Sequence, residues 1–285
     1  MLDQWLTSAE AARYLGVGAT SVKRWADAGL LPCEKTAGSH RRFSRSVLDQ
    51  FRRAQGIATA GNAEPAIDVS DPGAWVEHLL DPGATETTTE GLVWGARSKL
   101  GSFWRVAEVL GTVLDQLGTC WVEGKLTVVD EHVATEHLVR AIQRVGERLP
   151  VEHDAPRILL ATAEGEDHTG GLALAELCAR ELGWQTVWVG ARAPASELAR
   201  AVDRFKVSVV ALSAGSWCNR ADPLELEVRT LGEICRARNV PLVLGGRGAW
   251  PDKPAYGYVV RDYAELNALL ERLGAAHTNA LPVAS

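Results

Sequence analysis

The sequence predicts a multidomain α/β protein: an N-terminal winged helix-turn-helix, then a four-helix bundle, then a doubly wound parallel sheet. Three observations predict it. Residues 1–56 read as helix, tight turn, helix, hairpin, helix, which is a winged helix-turn-helix order. Residues 71–150 look all-helical, with capping signals and apolar residues at helical spacing, and the bundle is bounded at 71–152. From Arg157 the pattern changes to short β-rich runs alternating with helical ones. Near-continuous apolar strands separated by helices mean a parallel sheet covered on both faces.

In the head, Thr7-x-x-Glu10 is a capping box opening a helix that carries Ala11, Ala12 and Leu15 and ends at Gly16. A second helix over 19–28 places Val22, Trp25 and Ala26 on one side and stops at Gly29. A Gly-turned hairpin over 36–43 precedes a third helix bearing Val47, Leu48 and Phe51. Residues 57–70 are small, polar and aperiodic, and read as a linker. Asp71-Pro72 is an N-cap followed by proline at the first helical position. Thr87-x-x-Glu90 reads as a second capping box. Ser102 opens a helix with Phe103, Val106, Leu110, Val113, Leu114 and Leu117 inside, and the last bundle helix starts near Thr127. In residues 153–274, strands are expected at 158–162, 186–189, 207–213, 241–244 and 258–260, giving a flavodoxin- or Rossmann-like domain. Residues 275–285 read as a flexible tail.

Composition narrows the class. The 46% hydrophobic and 23% charged fractions are those of a globular protein. No apolar run reaches the roughly 18 residues of a membrane span, and the first residues lack a secretory signal, so a cytoplasmic protein with no membrane partner is expected. The five cysteines are scattered, which argues against a disulfide framework and a structural zinc. The net charge of -6 hides an asymmetry: residues 1–56 hold nine Lys and Arg against five Asp and Glu, leaving -10 on the rest. A basic head on an acidic body suits a head that meets a polyanion.

The sharpest chemical signal follows the first expected strand, in Glu164-Gly165-Glu166-Asp167-His168-Thr169-Gly170-Gly171. Loops at the carboxyl ends of strands line the ligand crevice of such a sheet. An imidazole there can ligate a metal through one nitrogen while Glu166 or its neighbour Asp167 fixes the other. Gly171 would let the backbone approach closely as the next helix begins. A lone His in a polar loop reads as surface, but two companions sit on the same edge: Ser213 at the end of one strand and Gly245-Gly246 at the end of another. Glu166-x-His168-x-x-Gly171, Ser213 and Gly245-Gly246 together resemble the cobalamin-binding domain family over about residues 154–274. That resemblance implies base-off, His-on binding, with His168 as the lower axial ligand of cobalt and the nucleotide tail near Ser213 and Gly245-Gly246.

In the bundle, Trp121 is followed after nine residues by Glu131-His132, part of which faces the apolar side of its helix. The spacing resembles the helical cap of light-sensing cobalamin repressors of the CarH/LitR type, which also share this domain order. The resemblance implies that Trp121, Glu131 and His132 surround the upper face of adenosylcobalamin. In light-sensing members a His follows the Trp; here that residue is Val122, which cannot ligate a metal, leaving His132 or His137 as substitutes. Ten tryptophans, among them Trp94, Trp104, Trp217 and Trp250, permit a second chromophore such as a bilin without indicating one.

The wing Gly38-Ser39-His40-Arg41-Arg42-Phe43 resembles the compact branch of the MerR superfamily. Lys23 and Arg24 are then placed to reach base edges or phosphates of operator DNA, and His40, Arg41 and Arg42 to reach phosphates or the minor groove. The expectation is a regulator rather than an enzyme: a homo-dimeric or tetrameric repressor, loosened when light cleaves bound adenosylcobalamin. Two alternatives stay open, a light-independent cobalamin sensor and a corrinoid methyl carrier.

Overall fold

The computed structural model describes residues 4–36, 38–54, 67–216 and 221–280. The chain divides into two compact units, Met1–Glu152 and His153–Ser285.

The first unit begins with β1 (Trp5–Thr7), α1 (Ser8–Leu15), α2 (Ala19–Asp27), β2 (Glu34–Lys35), β3 (Arg41–Ser44) and α3 (Arg45–Ala54). The Thr7 N–H donates to Glu10 and the Glu10 N–H to Thr7 Oγ1, closing the expected capping box. β1 was not expected. It pairs antiparallel with β3, which also pairs with β2, in the order β1-β3-β2. Ala11, Leu15, Val22, Trp25, Leu31, Phe43 and Leu48 are each at most 1% exposed and form the core beneath this sheet.

The helical part comprises α4 (Pro72–Leu80), α5 (Glu86–Leu100), α6 (Phe103–Val122) and α7 (Val128–Glu147). Asp71 caps α4, whose first residue is Pro72. The expected Thr87/Glu90 box is not the cap of α5. Thr85 and Thr88 form it two residues earlier, and Glu90 is buried instead, held by Arg144 and Arg148 of the α7 end. Val69, assigned to a linker, is fully buried and accepts the Trp75 indole N–H at 3.1 Å, so the chain is already part of the bundle there. The remainder of that linker, 57–66, lies outside the described residues.

The second unit alternates β4 (Arg157–Thr162), α8 (Gly170–Glu181), β5 (Gln185–Gly190), α9 (Ala195–Phe205), β6 (Val209–Ala214), α10 (Ala221–Ala237), β7 (Leu242–Gly246), β8 (Tyr258–Val259) and α11 (Tyr263–Ala280). All neighbours are parallel, in the order β5-β4-β6-β7-β8. Strand side chains alternate between two cores. Leu159, Val210, Leu212, Leu242 and Leu244 pack under α9 and α10, while Ile158, Leu160, Val209 and Val243 pack under α8 and α11. Each such side chain contributes roughly 1.5–3 kcal/mol on burial. The chain leaves β4 toward β5 and returns to the other side at β6, so the switch point, where doubly wound sheets bind ligands, lies over the carboxyl ends of β4 and β6. Helix α11 runs to Ala280, past residue 275 where a tail was expected to begin. No described helix is long and apolar enough to cross a membrane.

Candidate functional site

The β4–α8 loop turns directly over the switch point. The Thr162 hydroxyl donates to the Glu166 carbonyl at 2.6 Å, and the Glu166 N–H donates to the Ala163 carbonyl at 3.0 Å. These bonds fold the loop back and bury the Glu166 side chain to 2% exposure. Its Oε1 accepts the His168 backbone N–H at 2.8 Å and lies 2.6 Å from His168 Nδ1, and Oε2 accepts the Gly215 N–H at 2.7 Å. Burial pushes the Glu166 carboxyl up. The two His168 hydrogen bonds and the Gly215 N–H together outweigh it and hold the group below its ordinary value.

An ionised carboxylate only accepts hydrogen bonds, so Nδ1 carries a proton, and in the neutral imidazole Nε2 then carries the lone pair. The imidazole is 68% exposed. The structure therefore selects Glu166, of the two carboxylates open in the sequence, as the group that fixes the ring. Asp167 turns aside: its two oxygens accept Arg192 Nε and Nη2 at 2.7 and 2.8 Å. Arg192 holds a left-handed backbone, φ +64, in the loop two residues past the end of β5.

Gly215 was not singled out in the sequence, yet a Cβ there would stand 2.7 Å from Glu166 Oε2. Ser213 pairs in register with Gly245, and Ala214 with Gly246, so these positions form one edge beside the His168 loop. Gly246 has φ +84, and a Cβ on it would collide with the Ala214 carbonyl. Gly171 lies against Ser213 Oγ and the Tyr263 hydroxyl, each 3.7 Å from where its Cβ would be. Beneath the loop, the buried Glu227 carboxylate accepts the Glu164 N–H at 3.0 Å, and burial pushes this carboxyl above its ordinary value.

Among the described residues no three His, Cys, Asp or Glu side chains are grouped to hold a metal ion. The exposed His168 imidazole offers a single nitrogen rather than part of a three-ligand cluster. This donor set fits a metal that brings its other ligands with it, enclosed in a macrocycle, and the bare backbone at Gly171 and Gly245 fits a flat appendage of such a group.

At one end of the bundle, the α6–α7 turn joins the last turn of α6, which carries Trp121, to the start of α7, which carries Glu131-His132. Glu131 is held by the Thr135 hydroxyl at 2.8 Å and by His132 Nδ1 at 2.9 Å. His132 is not on the apolar side: its side chain is 74% exposed. Trp121, Val122, Val129 and Val133 are also exposed. His137 is elsewhere occupied, its Nε2 lying 3.1 Å from the buried Thr89 hydroxyl, which also meets His78 Nε2 at 2.9 Å. Of the other tryptophans considered for a flat ligand, Trp94 is core at 1% exposure. Trp104 is half-buried beneath the Arg105 guanidinium, Trp250 donates to the Gly245 carbonyl at 2.9 Å, and Trp217 lies outside the described residues.

In the head, α2 exposes Lys23 and half-buries Arg24, and both line a groove with Thr20, Asp27, Ala28 and Glu152. Trp25 is core, packed on Phe51, and donates its indole N–H to the Pro150 carbonyl at 3.3 Å. On the wing, His40 is exposed and Arg42 half-buried, whereas the Arg41 guanidinium is bonded to Asp27 and ties the wing to α2.

Residues 5–56 match the helix-turn-helix domain family. The chain is 27% identical over 273 residues to the HTH-type transcriptional repressor CarA of Myxococcus xanthus, covering 89% of this chain and 91% of that protein. It is 27% identical over 270 residues to the repressor CarH of the same organism, covering 84% and 88%. The monomethylamine corrinoid protein of Methanosarcina barkeri is similar in structure, with a TM-score of 0.52 and 15% identity, over 72% of this chain and 98% of that one. The chain is thus similar to the repressors CarA and CarH over most of its length, a multidomain α/β protein with a helix-turn-helix domain at its N-terminus and the fold of a corrinoid protein beyond it.

Proposed function

We propose that the protein is a cytoplasmic transcriptional repressor that binds operator DNA through its head and adenosylcobalamin through its C-terminal sheet, with His168 as the lower axial ligand of cobalt. The observation that carries this reading is the Glu166–His168 pair over the switch point, in which the carboxylate fixes the tautomer that leaves Nε2 available. The likeness to repressors named CarA and CarH supports the regulatory half.

Glu166 and the Gly215 N–H orient the imidazole, and Gly171, Ser213, Gly245 and Gly246 form the edge that would hold the rest of the corrinoid. Trp121, Glu131 and His132 are the residues proposed for the upper face, and Lys23, Arg24, His40 and Arg42 for DNA, Arg41 serving the wing as well. Bound adenosylcobalamin supplies a cobalt–carbon bond that green or blue light breaks. Association into dimers or tetramers would multiply DNA contacts and raise affinity without any new contact.

A second reading, a cobalamin sensor indifferent to light, is favoured by Val122, an exposed apolar residue where light-sensing relatives are expected to carry a ligand. Visible spectra of the protein with adenosylcobalamin, in darkness and after green light, separate the two. An irreversible change marks the photoreceptor, and an unchanged His-on spectrum marks the sensor. If His168→Ala binds the cofactor with an unchanged spectrum, the ligation proposal fails.

A further inference from the structure

We infer that Glu227 is a positioning residue for the proposed cobalt ligand, holding the β4–α8 loop from beneath at Glu164 so that His168 stays over the switch point. The inference rests on the function proposed above and adds a residue that acts on cobalt only through His168. Helix α10 carries Glu227 to the underside of the loop. One turn earlier on that helix, Leu224 packs with Ala163, directly after β4, and with Ala214, the last residue of β6. Glu227 is itself 7% exposed, and its Oε2 accepts the Glu164 backbone N–H at 3.0 Å. The second half of the loop is anchored elsewhere, Glu166 by the Gly215 N–H and Asp167 by Arg192. Gly165 lies between the two halves at φ +88 and gives the turn little stiffness of its own. Holding Glu164 therefore fixes where the half that carries His168 begins.

The arrangement works against stability. Glu227 Oε1 is buried with no hydrogen-bond partner among the described residues. Burial, aided by the neighbouring Glu164 carboxylate and opposed by the Glu164 N–H, pushes the Glu227 carboxyl above its ordinary value. A leucine beside Leu224 would leave no polar atom of its own unpaired. The Glu164 N–H it released could turn to water, because that residue is exposed. An acid at a position that an apolar side chain would fill more stably points to a task performed on the loop.

The test titrates adenosylcobalamin, followed by its visible spectrum, into the full chain, Glu227→Gln and Glu227→Leu, and into His168→Ala with and without Glu227→Leu. Glutamine keeps the acceptor and should match the parent in affinity and in its His-on spectrum. Leucine removes the acceptor. Its apoprotein should melt at or above the parent temperature, while affinity falls about three- to tenfold and the His-on share of the spectrum shrinks. In the His168→Ala background the same leucine should cost nothing, because Glu227 acts only through His168. Glu227→Ala takes its place if leucine overpacks the site and lowers the melting temperature. Parent-like binding by the apolar variant, an equal loss in Glu227→Gln, or an equal loss with and without His168 would each overturn the inference. A parent spectrum that depends on His168 still leaves the proposed function standing in those cases. A spectrum indifferent to His168 overturns both.

Discussion

Glu166→Gln is nearly isosteric and tests the site at its most constrained point. The wild-type carboxylate is 2% exposed and accepts three N–H groups, two from His168 on Oε1 and one from Gly215 on Oε2. A glutamine has one acceptor oxygen and one NH₂. With its oxygen toward His168, its NH₂ faces the Gly215 N–H; with its oxygen toward Gly215, it faces the His168 backbone N–H. Either way two donors meet in a site closed to water, and the charge that strengthened the remaining bonds is gone. The cost is about 2–4 kcal/mol, roughly 5–15 °C in the melting temperature of a unit this size. In the second orientation the amide also donates to Nδ1, moving the imidazole proton to Nε2 and removing the lone pair. Adenosylcobalamin affinity should then fall about tenfold or more. The carboxyl is held below its ordinary value in the fold, so its contribution is present above pH 4.5 and lost as pH falls below it. The variant should lack that part of the acid transition. Thermal melts from pH 3 to 7 and a corrinoid titration check this. A variant that melts within about 2 °C of the parent and keeps a His-on spectrum would refute the reasoning.

Gly171→Ala should leave the melting temperature of the apoprotein unchanged or slightly raised, because its contacts at 3.7 Å are ordinary and the site is helical; by filling the seam it should weaken adenosylcobalamin binding about tenfold, read by titration. His78 is held below its ordinary value by burial and by His137, against the pull of Asp81, so the unfolded chain takes up its proton first. Stability of the first unit should therefore fall as pH drops below 6.5, and His78→Gln should flatten that slope in melts between pH 7.5 and 5. Glu152→Gln removes a carboxylate from the groove that holds Lys23 and Arg24 and should tighten binding to a duplex about two- to fivefold at low salt, measured by fluorescence anisotropy and fading as salt is added. An unchanged affinity would show that Glu152 does not compete with phosphate.

What could be read in advance follows from how far apart the interacting residues stand. Strands β4, β6 and β7 announced themselves as apolar runs because both their faces are covered, and the Thr7/Glu10 and Asp71-Pro72 starts as local spacings because the capping partners lie within three residues. The Thr87/Glu90 spacing was misleading for the same reason. Thr85 and Thr88 satisfy the α5 terminus as well, and only the arrival of Arg144 and Arg148 from α7 decides that Glu90 turns inward. β1 is three residues long and shows no periodicity; it exists because β3 is there to pair with it. Arg192, Gly215 and Glu227 each matter through a contact made at least 25 residues away, so composition and spacing carried no trace of them. Between Glu166 and Asp167 local chemistry was indifferent. The choice was made by Gly215 on one side and Arg192 on the other.

The same accounting of partners bears on Val122. Two histidines were open as substitutes for the missing ligand, and the structure separates them. His137 spends its Nε2 on Thr89, whose hydroxyl has one proton to divide between His137 and His78. Withdrawing it would leave a fully buried hydroxyl short of a partner. His132 is arranged as His168 is: Nδ1 lies on a neighbouring glutamate, which leaves Nε2 uncommitted to that contact, and the ring is exposed. It also shares its end of the bundle with Trp121 and Val122. If green light does alter the spectrum of the bound cofactor, the imidazole whose loss should change the illuminated state is therefore His132 and not His137. If light alters nothing, that pairing of Glu131 with His132 has only the structural work of the α7 first turn to do.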